Sequence, residues 1–105
     1  MLLARVMGTV VSTRKDSGLS GLKLLLVREV DEAFEATGAF VVAADAVGAG
    51  SGEVVVIAQG SSARMTEVSR EKPVDAVISG IVDVVEIDGR DVYLKAGART
   101  GGSAR

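Results

Sequence analysis

Four aliphatic residues in a row, Leu24-Leu25-Leu26-Val27, most constrain what this chain can become. Successive side chains of a strand point to opposite faces, so such a run is apolar on both. A strand apolar on both faces must be covered on both faces. Residues 23–30 are therefore predicted as a strand, and in a small barrel its second cover is often a neighbouring subunit. Residues 53–59 are predicted as another strand, with Val54-Val55-Val56-Ile57 in sequence. A chain of 105 residues makes one domain with a small core. Hydrophobic residues reach 48% while aromatics are only 3%, so the core is built from Val, Leu, Ile and Ala. A small body cannot hide that much apolar side chain, and contiguous apolar surface usually marks contact with another chain.

The remaining elements follow from period and punctuation. Residues 2–12 read as a strand with Leu2, Ala4, Val6, Gly8 and Val10 on one face, and Gly8 predicts a bend. Residues 13–21 and 31–38 are polar connections, and residues 39–44 are a third strand. Residues 45–52 hold three glycines in eight positions. Residues 60–64 are predicted as a turn into a short helix capped by Ser61 or Ser62, in a segment ended by Pro73. Residues 74–87 are predicted as one long fifth strand with a bend at Gly80. Asp88-Gly89 is a strong hairpin signal that closes onto residues 90–95. Residues 96–105, rich in Gly, Ala and Ser, are expected to be a flexible tail behind a domain of residues 1–95. The fold class is all-β, a small five-stranded OB-like Greek-key barrel with one short helix plus a C-terminal hairpin. A β-sandwich is the alternative.

The residue inventory removes most chemistry. With no Cys and no His there is no disulfide, no zinc site built on those ligands and no Ser-His-Asp or Cys-His arrangement. The net charge of −2 argues against a nucleic-acid footprint. No targeting segment is visible, and no apolar run approaches the roughly 20 residues of a membrane span. The expected compartment is the cytoplasm. Gly48-Ala49-Gly50-Ser51-Gly52 invites a phosphate-loop reading, but no Lys-Ser/Thr pair follows it and it precedes a strand rather than a helix. A tight strand-to-strand turn with positive φ explains it as well. A third reading places Gly48, Ala49 and Gly50 at a symmetry axis framing a pore, where larger side chains would collide. Arg64 suits a desolvated pair across an interface, with Asp45, Asp75 and Asp83 as candidate carboxylates. Paired carboxylates can hydrolyse glycosides, but that chemistry needs a sugar-stacking cleft, and the chain has only Phe34, Phe40 and Tyr93.

The stretch Asp45-Ala46-Val47-Gly48-Ala49-Gly50-Ser51-Gly52-Glu53, the Val54-Val55-Val56 strand after it, and Gly60-Ser61-Ser62-Ala63-Arg64 together resemble the EutN/CcmL family of microcompartment vertex proteins. Residues 4–13, residues 19–26, and Pro73-Val74-Asp75-Ala76 leading to Ile81-Val82-Asp83 are similar to that family too. The resemblance spans nearly residues 1–95. It implies an OB-like barrel that forms a homopentamer and plugs the corners of shells faceted by hexameric proteins. It implies no catalytic residues, no cofactor and no metal. The subunit interface is expected at Ser61, Ser62, Ala63, Arg64 and Asp75. The alternative is an OB-fold module binding nucleic acid or a small ligand, which the slightly negative charge and few aromatics disfavour. No nucleic-acid partner and no membrane partner are expected.

Overall fold

The computed structural model describes residues 1–13, 16–70 and 74–95. The tail expected at 96–105 and the stop at Pro73 lie outside the described residues. Among the described residues seven strands follow one another: β1 (Leu2–Val10), β2 (Leu24–Val30), β3 (Ala36–Asp45), β4 (Val54–Gln59), β5 (Ala76–Ile81), β6 (Val84–Ile87) and β7 (Arg90–Leu94). The first five close into a barrel in the order β1-β2-β3-β5-β4, while β6 and β7 form a separate two-stranded sheet. All neighbours are antiparallel except β3 and β5, which meet in parallel at Ala44–Val77 and Asp45–Ile78. The closed barrel decides against the sandwich and removes most of the open strand edge a small sheet would expose.

The interior is aliphatic, as the composition requires. Ala4, Val6, Leu25, Val27, Val55, Ile57 and Ile78 are buried in one cluster. The bend expected at Gly8 is a break in register between Val6 and Gly8, which leaves Met7 bulged out of the β1–β2 ladder. A second shift lies opposite Gly80, between Val56 and Ile57.

Three boundaries differ from the sequence reading. The long fifth strand is two strands. Val82 N–H donates to Val54 O, and Asp83 O accepts from Lys95 N–H, so this pair of residues carries the chain from β4 to a new partner, β7. The third strand begins at Ala36 rather than 39. Asp31 compresses the preceding turn, its carboxylate accepting from Ala33 N and Glu35 N at 2.9 and 3.0 Å. The short helix is a 3-10 turn, Gly60–Arg64, whose cap position is Gln59 with no side-chain cap bond. Neither Ser61 nor Ser62 caps it; Ser62 Oγ instead donates to Gln59 O at 2.6 Å.

Candidate assembly surface

The β2–β3 register sorts the consecutive apolar residues into two faces. Leu25 pairs with Ala43 and Val27 with Val41, while Leu24 pairs with Ala44, Leu26 with Val42 and Arg28 with Phe40. Leu25, Val27 and Ala43 fill the barrel. The other set points out, and its two ends differ. At the Leu24–Ala44 end the chain covers itself, because Ala44, Ala58, Ala63 and Val77 form a second small core flanked by Leu22, Leu24 and Val74. At the other end nothing among the described residues covers the face. Phe40 is 67% and Val42 42% exposed, and bulged Met7 is 52% exposed. Met7, Leu26, Arg28 and Phe40 line a groove of about 190 Å³ here.

Two cations meet at this end of the face. Arg5 of β1 sits directly opposite Arg28 of β2. Each guanidinium donates to a backbone carbonyl, Arg5 to Gly52 O at 2.9 Å and Arg28 to Gly38 O at 3.4 Å. Arg28 Nε is buried and makes no hydrogen bond among the described residues. Sequence reasoning expected a second cover for β2 but missed Arg28 and Phe40, although the two-residue period 24, 26, 28 marks them.

The segment expected at an interface lies beside the covered end. Ser61, Ser62 and Arg64 are exposed, and so is Asp75. Ala63 is wholly buried in its own subunit, where it packs in the second core. Arg64 Nη1 donates to Val74 O at 3.1 Å, which brings it next to Asp75 along the chain. Asp75 in turn lines a groove of about 170 Å³ with Leu19, Leu24, Val42, Ala44 and Val74. Arg64 and Asp75 thus flank the upper part of the same outward β2–β3 face. Buried Ser69 donates to Ala63 O, and its N–H is held by Thr66 Oγ1 at 3.0 Å, tying the chain after the 3-10 turn beneath it.

The glycine turn is organised by an acid that the sequence reading took for an ion-pair candidate. One oxygen of Asp45 accepts from Val47, Gly48 and Ala49 N–H at 3.1, 3.0 and 3.2 Å, and the second accepts again from Ala49 at 3.0 Å. An Asp followed by a glycine three positions on is the signal that could have found this. A carboxylate already occupies these donors, so the turn offers no phosphate cradle. Gly48 and Gly52 have φ of 78° and 85°, which meets the requirement of a strand-to-strand turn. Gly50 N donates to Glu53 Oε1 at 2.6 Å, and Glu53 Oε2 pairs with Lys95 Nζ at 2.6 Å. The Lys95 contact and the Gly50 N–H hold the Glu53 carboxyl below its ordinary value, and Glu53 raises Lys95 in return. Gly48 and Gly50 are exposed while Ala49 is buried in the main core.

Two of the three aromatics are spent on each other. Phe34 and Tyr93 rings lie 5.1 Å apart, joining the β2–β3 turn to β7. Among the described residues there is no cluster of acidic side chains able to hold a metal, and no helix long and apolar enough to cross a membrane.

Comparison with known proteins meets this geometry. A family model described as "Ethanolamine utilisation protein EutN/carboxysome" matches residues 1–83. The carboxysome shell vertex protein CcmL of Gloeobacter violaceus is 46% identical over 95 residues, covering 90% of this chain and 95% of that protein. Its solved structure superposes with a TM-score of 0.87, over 91% of this chain and 99% of the other. The bacterial microcompartment shell vertex protein EutN of Salmonella typhimurium is 43% identical, covering 90% of this chain and 96% of that protein. The GrpN pentameric microcompartment shell protein from Rhodospirillum rubrum is 47% identical in its solved structure, with a TM-score of 0.74, over 83% of this chain and 98% of that one.

Proposed function

Because the chain belongs to the EutN/CcmL family, we propose that it is a structural shell protein that forms pentamers and caps the vertices of a polyhedral bacterial microcompartment. The observation that carries this reading is the outward β2–β3 face. Phe40, Val42 and Met7 stand open on a strand pair that is already packed on its other side. An apolar face of this kind is stable in water when another copy covers it. Relatives named as shell vertex proteins match it over nine-tenths of its length, and one solved relative is described as pentameric.

Geometry assigns the role of a five-membered ring. A layer tiled only by hexagons stays flat or rolls into a tube, and pentagons close it. The partners are then hexameric facet proteins, met through the polar rim of the ring. Arg64 and Asp75, with Ser61 and Ser62, take part in the subunit contact. The turn at Gly48 and Gly50 faces the five-fold axis, with Ala49 filling the barrel behind it. No catalytic role and no cofactor belong to this reading. Electron microscopy of shells made with and without the chain tests it. Elongated or open-cornered shells in its absence are expected. Closed polyhedra without any vertex protein would contradict it.

A further inference from the structure

The glycine turn keeps its donors inward. The N–H groups of Val47, Gly48 and Ala49 point at the Asp45 carboxylate, and that of Gly50 points at Glu53 Oε1. In a trans peptide the carbonyl of one residue lies opposite the N–H of the next. The carbonyls of Val47, Gly48 and Ala49 therefore point away from the two carboxylates. No backbone N–H among the described residues donates to any of the three. Side chains leave them open, since Gly48 and Gly50 have none and that of Ala49 is buried in the main core. Exposed Ser51 adds a hydroxyl beside them.

Charge agrees with that polarity. Asp45 is 8% exposed, and no cation among the described residues pairs with it. The nearby cations are engaged elsewhere on the turn, Arg5 by Gly52 O and Lys95 by Glu53. The arrangement is the reverse of an anion nest, in which N–H groups converge on the ligand. Rings of backbone carbonyls replace the hydration shell of a potassium-sized cation. Calcium and magnesium draw on carboxylates, which this turn keeps on its inner side. We infer that, in the ring, the carbonyls of Val47, Gly48 and Ala49 from every copy form a site on the five-fold axis for a monovalent cation of potassium size. The inference rests on the axial placement of this turn and adds the ligand it takes.

Crystals of the full chain grown in rubidium chloride and in sodium bromide read the site by anomalous scattering. A rubidium peak on the five-fold axis against these carbonyls is expected, with no bromide peak there. Ser51→Lys, checked as an intact ring by native mass spectrometry, is expected to lose the rubidium peak. In solution the unmodified ring is expected to broaden the thallium(I) NMR line, with potassium reversing the effect and lithium not. Bromide on the axis, or no ion there with the turns meeting around it, would overturn the inference and leave the ring standing. So would a rubidium peak that survives Ser51→Lys or an unbroadened thallium line, either of which means an adventitious ion only. Glycine turns found on the outer rim would overturn the axial placement and the inference with it.

Discussion

Lys95 Nζ lies 2.6 Å from Glu53 Oε2, and this pair ties the end of β7 to the loop that enters β4. The other oxygen of Glu53 holds Gly50 N–H, so one carboxylate fixes the glycine turn and the hairpin together. Glu53 titrates below its ordinary value because of Lys95 and Gly50. Its contribution is thus present above the ordinary carboxylate value and is lost as pH falls through its own lowered value. Lys95 titrates above its ordinary value because of Glu53, so its contribution holds below the ordinary lysine value and fades as pH rises through the raised one. Glu53→Gln is expected to lower Tm by a constant small amount across neutral pH, with the difference vanishing in acid. Thermal melts of both proteins against pH check this.

Asp45 should matter more to folding than any other acid described. It is 8% exposed and satisfies the N–H groups of Val47, Gly48 and Ala49. Asp45→Ala leaves those donors without their acceptor, one of them buried, at a cost of about 1–3 kcal/mol. Urea unfolding should show a lower midpoint at an unchanged slope. Asp45→Asn, which keeps one acceptor oxygen, should lose less.

Two glycines should respond oppositely to the same substitution. A Cβ on Gly48 or on Gly8 would meet nothing within 4 Å, so space does not distinguish them. Gly48 has φ of 78° and Gly8 is not in the left-handed region. Gly48→Ala is expected to destabilise by about 1–2 kcal/mol through backbone strain. Gly8→Ala is expected to be neutral or to stabilise by about 0.4–1 kcal/mol through the unfolded chain. Equilibrium unfolding of the two variants checks the difference in sign.

Arg64→Glu is expected to damage assembly more than folding. Arg64 is exposed in the subunit and makes its bond to Val74 O, so the barrel does not depend on its charge. Placed in a desolvated contact, the reversed charge would cost on the order of 3–5 kcal/mol. Sedimentation should show smaller species while circular dichroism keeps the strand signal. An intact oligomer with unchanged Tm would make Arg64 a plain surface residue.

The barrel strands were legible because aliphatic runs and glycine turns are local signals. Leu24 to Val27 announced a strand covered on both sides, and the structure packs one side inward and leaves Leu26 in an open groove. The break at Val82 and Asp83 was not legible. Their residue types continue a strand, and it is bonding to the distant Val54 and Lys95 that turns the chain. The same holds for Ala63, whose small size reads equally as contact surface or as core. The opposition of Arg5 and Arg28 needs the strand register, which composition and spacing do not carry.

Native mass spectrometry of the purified full chain tests the central claim most directly. The expected spectrum is a single assembly at five times the 10.7 kDa chain mass, persisting at micromolar concentration. A monomer, or a ring with another number of copies, would contradict the pentameric vertex account.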